Sequence, residues 1–147
     1  MQKSNTGSKA IYSGMKYLFF IALTFLMYSS CNEIDSEIPD VWVGLNLDLG
    51  LYNELTVPGN SAYFPNQGFG GVIVYCEIEG SYYAFDAACT NEINPSCRVV
   101  NDGAVGKCSC CESEYIFIGG TVLKGPAAAP LKQYNTSLSG NILRVYN

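Results

Sequence analysis

The chain contains no histidine. That absence removes the side chain that most often acts as general base near neutral pH, and also the commonest metal ligand. A Ser-His-Asp or Cys-His enzyme is therefore excluded. Charge is sparse too, at 14% of residues against 48% hydrophobic. At 147 residues the chain is long enough for one domain with a real core and too short for two of ordinary size. Outside the N-terminal segment no helical stripe of useful length appears. What is abundant instead is glycine, 15 residues, and tyrosine, 11, a composition that favours short strands and tight turns.

The apolar run from Tyr17 to Tyr28 has 12 residues, whereas a membrane-spanning helix needs about 20. Preceded by Lys16 and followed by Ser29, Ser30 and Cys31, it has the plan of a secretory signal over residues 1–30, with Met15 as a second candidate start. The cysteine after these small residues resembles the lipobox of bacterial lipoproteins, which implies lipidation at Cys31; a plain secretory signal is the alternative. Glu33, Asp35 and Glu37 make residues 31–40 an acidic linker, similar to the segment that sends some lipoproteins of Bacteroides-like bacteria to the cell surface. The implied location is the cell envelope, as an outer-membrane lipoprotein exposed at the surface, with the membrane as partner through the lipid. Lys3, Lys9 and Lys16 leave with the signal, so five basic and 13 acidic residues remain, net −8. Nucleic acid is a poor partner for such a chain.

Residues 41–147 read as one all-β domain. In VWVGLNLDL, Val41, Val43, Leu45, Leu47 and Leu49 alternate with other residues, the period of a half-buried strand. The run GVIVYCEI, the turn-like Glu79-Gly80-Ser81 and YYAFDA suggest a hairpin. YIFI, TVLK, LKQYNT and ILRVY supply further strands, the last two joined at Ser139-Gly140-Asn141. Tyr75, Tyr82, Tyr83 and Phe85 are expected as half-buried cross-strand pairs, Trp42 as a cover for an open end, and Asp86, Glu92, Glu112 and Glu114 as solvated charges.

Export leaves six cysteines, Cys76, Cys89, Cys97, Cys108, Cys110 and Cys111, where disulfides persist, and six cysteines allow fifteen pairings. Five of them lie on two loops, CTNEINPSC (Cys89 to Cys97) and KCSCCES (Lys107 to Ser113). The proline-stiffened GPAAAP, Gly125 to Pro130, is expected to lie against both. The spacing of Cys108 and Cys111 suits two thiolates on one tetrahedral ion.

Taken together, these loops resemble the Rieske iron-sulfur domain. That family binds a 2Fe-2S cluster with two cysteines on one iron and two histidines on the other, through C-x-H and C-P-C-H-G-S-x-F/Y loops and a later G-P loop. Here Cys89-Thr90-Asn91 stands for the first and Cys108-Ser109-Cys110-Cys111 for the second, with Asn91 and Cys111 where histidines belong and Glu112 where glycine does. By resemblance, Ser113 and Tyr115 bond to the centre's sulfurs, and Gly125 and Pro126 open the loop that covers it. The resemblance also implies a disulfide between Cys97 and Cys110, and a small β-sandwich or barrel with a cluster-binding-like subdomain. It implies electron transfer with an envelope or redox partner, without catalysis by the protein itself.

Asparagine is a weak neutral donor and cannot replace imidazole on iron. Three readings follow. Cys89, Cys108 and Cys111, with Asn91 or Glu92, hold an altered cluster or zinc. Alternatively, the cysteines are all disulfides, Cys89 pairing with Cys108 or Cys111 and Cys76 with the other, on a binding or scaffold module that carries no cofactor. In the third, the ordinary cluster assembles through another ligand.

Overall fold

The computed structural model describes residues 36–147. The expected signal (residues 1–30) and the lipidation site Cys31 lie outside the described residues. Ten strands and one short 3-10 helix follow in order: β1 (Gly44–Asp48), the helix (Asn53–Thr56), β2 (Ser61–Phe64), β3 (Val72–Ile78), β4 (Ser81–Asp86), β5 (Val99–Asp102), β6 (Val105–Cys108), β7 (Glu114–Ile116), β8 (Val122–Lys124), β9 (Gln133–Ser139) and β10 (Ile142–Tyr146). The all-β expectation holds.

Two antiparallel sheets form, one of six strands in the order β1-β10-β9-β4-β3-β2 and one of four in the order β5-β6-β7-β8. The four-stranded sheet is an insertion in the chain between β4 and β9. One core cluster draws Leu47 from the edge strand β1, Ala62 from the opposite edge β2, and Val74, Ala84, Tyr134 and Leu143 from the strands between. Residues from both edges meet in one cluster only if the six-stranded sheet curls round its own inner face. Leu55 of the helix, fully buried, packs into the same cluster.

The run GVIVYCEI is continuous rather than alternating because β3 is buried on both faces. Val72, Val74 and Cys76 point into the core of the large sheet. Ile73 and Tyr75 point the other way, into a second core built with Phe85, Val99, Tyr115 and Phe117. The expected hairpin is present, with Tyr75 opposite Tyr83 and Ile73 opposite Phe85. Phe117 collects the aromatics, its ring centroid 5.3 Å from Tyr75 and 6.2 Å from Phe85.

Several expectations shift. The first strand is shorter than the apolar alternation, because the chain turns after Asp48, whose carboxylate accepts from the Gly50 amide. Trp42 is 75% exposed, with its ring against Gly44 of β1 rather than over an open end. Residues 36–40 have no regular structure, yet Ile38 is buried and Lys132 donates to the Pro39 carbonyl and the Asp40 carboxylate. That part of the acidic segment is thus attached to the domain.

Beneath the cysteine loops, Gly106 of β6 is held tightly: a Cβ there would come to 2.5 Å from Val99 Cγ1 and 2.7 Å from Phe117 Cζ. Gly106→Ala is expected to destabilise the protein by about 1–3 kcal/mol through overpacking. Urea denaturation measures it, and a change inside about 0.5 kcal/mol, the range of an ordinary surface substitution, would show that Val99 and Phe117 give way.

Candidate metal centre

β4 ends at Asp86, and the chain runs on through Ala87, Ala88 and Cys89, all fully buried. The first cysteine loop leaves there and is closed at its root. Cys89 N donates to Cys97 O at 2.9 Å, Val99 N donates to Ala87 O at 2.7 Å, and Ala88 bridges Arg98. The second loop is the turn from β6 to β7. Cys108 N donates to Ser113 O at 2.8 Å, and Glu112 N to Cys108 O at 3.2 Å. Closing so tightly forces Glu112 to φ 59, the left-handed region where glycine is the usual occupant.

A disulfide between Cys97 and Cys110 ties the two loops together. Ser109 N donating to Arg98 O at 2.9 Å repeats the tie in the backbone. The proline loop reaches both: Ala127 N donates to Ser113 Oγ at 2.9 Å, and Thr90 Oγ1 to Ala129 O at 2.7 Å. Ala127 is also buried in the core beneath the cysteine loops, while Gly125 and Pro126 are exposed at the start of the loop.

Inside this clamp three thiols converge. The Sγ atoms of Cys89, Cys108 and Cys111 lie within 4.8 Å of one another, with Cys89 and Cys111 at 3.4 Å. Cys89 and Cys108 are buried and Cys111 is half-buried. None of the three is in a disulfide. Cys76, proposed above to take one of them, is also free. It lies on the opposite face of β3, in the core of the large sheet, and strand alternation keeps it there. Asn91 is exposed, two residues beyond Cys89.

Ser113, fully buried, accepts from Ala127 and stands 3.0 Å from Cys111 Sγ, within reach to donate its proton to that sulfur once it is a thiolate. Burial opposes ionisation of Cys111, but hydrogen bonds from the Ser113 side chain and backbone and from the neighbouring thiols outweigh it. The Cys111 pKa falls below the usual thiol value. At Cys108 burial wins, helped by the Cys89 thiol, and the pKa is pushed up to about 12. Negative charge therefore settles on Cys111 before Cys108.

Tyr115 is fully buried, its hydroxyl 3.5 Å from Cys89 Sγ and 3.0 Å from Thr90 Oγ1. The single proton of Thr90 is committed to Ala129 O, so Tyr115 donates to Thr90 and accepts from Thr90 N at 3.3 Å. Burial raises the Tyr115 pKa, and the phenol stays neutral.

Sequence reasoning missed two residues here. Asp86, expected as a solvated charge, is fully buried. It accepts from Phe69 N at 2.6 Å, Gly70 N at 2.9 Å, Ala88 N at 2.9 Å and Tyr134 OH at 2.8 Å. Burial and the Asp86 charge raise the Tyr134 pKa. Gly68, at φ 66, leaves no room for a Cβ, which would sit 2.7 Å from Asp86 Oδ2. The signal was a lone carboxylate in the apolar run FDAAC. Thr90 is the second, and no pattern marked it.

The family's ordinary cluster does not fit these residues. Four ligands are needed; three thiols gather round one point, Cys97 and Cys110 are bonded to each other, Cys76 faces another core, and there is no histidine.

No family model and no curated protein matches the sequence. Among solved structures, a chain of the complex of reduced oxygenase and oxidized ferredoxin in carbazole 1,9a-dioxygenase is similar at 20% identity and TM-score 0.51. That match covers 78% of this chain and 94% of that one. A plasma membrane Rieske protein from Synechocystis is 30% identical, over 72% of this chain and 98% of that one, at TM-score 0.48. The ferredoxin of carbazole 1,9a-dioxygenase from Nocardioides aromaticivorans matches at 17% identity, over 73% and 97% of the two chains, at TM-score 0.46.

Proposed function

The described residues are a Rieske-type domain, and from that premise we propose that the chain is a non-enzymatic cell-envelope lipoprotein whose cluster site has become a mononuclear thiolate site. Cys89, Cys108 and Cys111 hold one thiophilic ion, zinc or iron. The observation that carries this reading is the convergence of three unpaired sulfurs within 4.8 Å in a disulfide-clamped pocket. Sulfurs bound at about 2.3 Å to one tetrahedral ion are spaced within that limit. The Ser113 hydroxyl aimed at Cys111 tempers the excess negative charge of three thiolates on a divalent ion. With iron the site is a one-electron carrier serving an envelope redox partner, in keeping with the electron-transfer proteins of this fold; with zinc it locks the loops. The lipobox-like Cys31 and its acidic neighbours support the anchored location.

The test is metal content and spectra of purified protein, with cobalt as a spectroscopic substitute. A single ion per chain with sulfur-to-metal absorption is expected. Cys89→Ser or Cys108→Ser should weaken binding by more than the roughly 10–100-fold typical of outer-shell changes. Metal-free protein that binds neither zinc, iron nor cobalt overturns the reading, and two irons with stoichiometric sulfide would restore the family's cluster.

A further inference from the structure

The same trio has a second chemistry that needs no metal. Cys89 Sγ and Cys111 Sγ already touch at 3.4 Å, against a bonded separation of about 2.05 Å. The loops that carry them are fixed beforehand by the Cys97–Cys110 disulfide, the Ala88–Arg98 bridge and the Ser109–Arg98 bond. Closing a further bond between loops held this way costs little additional chain entropy.

Access differs among the three sulfurs. Cys89 is 0% and Cys108 1% exposed, while Cys111 is half-buried. An entering thiol or disulfide therefore meets Cys111 first, and Cys89 stands behind it in contact at 3.4 Å.

We propose that Cys89 and Cys111 form a two-electron thiol–disulfide couple, with Cys111 the entry sulfur and Cys89 the resolving one. The inference rests on the reading of this trio as the functional centre, though not on metal occupancy. With a small-molecule disulfide as oxidant, the Cys111 thiolate attacks one sulfur of that disulfide and expels one thiolate, leaving a mixed disulfide on Cys111. Cys89 then attacks the Cys111 sulfur and expels the second. The balance is two protein thiols plus one disulfide giving one protein disulfide plus two small thiols, each thiol proton passing to a departing sulfur. Cys108, which accepts from Cys110 N at 3.5 Å, stays a thiol. The fold would then keep a redox centre at its cluster position while exchanging iron chemistry for sulfur chemistry.

The test uses the full chain, reduced and stripped of metal, equilibrated with glutathione buffers of graded ratio, then alkylated and mapped without reduction by mass spectrometry. Expected, beyond the re-formed Cys97–Cys110 bond, are the loss of two further hydrogens, a linked Cys89–Cys111 peptide and an alkylated Cys108. In Cys89→Ser, glutathione should remain trapped on Cys111. A link through Cys108 instead, or stable glutathionylation of Cys111 in the unaltered chain, or no oxidation across the series, overturns the proposal. Metal titration of the reduced protein is read separately. Metal binding without the new bond defeats only the couple, and the bond without metal binding defeats only the metal site.

Discussion

Replacing Asp86 with alanine is expected to cost about 3–5 kcal/mol, the loss typical of removing one side of a buried charged network, and to bring the domain close to unfolding, since whole-domain stabilities run about 5–15 kcal/mol. The carboxylate is fully buried and accepts from three backbone amides and the Tyr134 hydroxyl. Alanine leaves those donors without an acceptor, and each buried orphan costs about 1–3 kcal/mol. Asn should fall between, because its carbonyl still accepts while its amino group faces donors. Urea denaturation of the three proteins gives the ranking. An alanine variant within about 1 kcal/mol of the parent, the value of a single ordinary hydrogen bond, would mean water takes over the role. Because Asp86 holds the Ala88 amide, one residue before Cys89, the variant should also loosen the thiol site.

The next largest effect is expected from Cys97→Ala with Cys110→Ala. The pair closes a loop of sequence separation 13, and chain entropy for a loop of that size is worth about 3 kcal/mol. The unfolding free energy should fall by that amount, with a steeper urea slope because the uncrosslinked denatured chain exposes more surface. The remaining ties between the loops, Ser109 N to Arg98 O and Arg98 N to Ser109 Oγ, are hydrogen bonds of about 1 kcal/mol each, too weak to keep the thiols gathered as tightly. A loss under about 1 kcal/mol would place the clamp in those bonds instead.

Strand periodicity made the large sheet legible, as in the alternation Val43, Leu47 and the hairpin of β3 and β4. It could not say that β3 serves two cores, because a continuous apolar run fits a buried helix segment as well as a strand covered on both faces. The hairpin of β5 and β6 went unread: VVND and VGKC are short and weakly apolar, and only the two-residue turn at Gly103-Ala104 signals them. At the site, motif resemblance located both cysteine loops. It did not locate Cys76 on the far face of β3, because pairing depends on which way a side chain points in three dimensions. Asp86 was misread for a related reason: a carboxylate looks solvated until backbone donors from a distant loop, Phe69 and Gly70, are folded onto it.

The two-faced burial of β3 limits how this domain can be taken apart. Ile73 and Tyr75 roof the compartment under the cysteine loops, while Val72 and Val74 floor the other. A one-residue slip would exchange the two sets wholesale. The four-stranded sheet is therefore not portable: cut out at its chain junctions after β4 and before β9, it would lose its ceiling. Any transplant of the thiol trio into another scaffold would have to carry β3 and β4 with it.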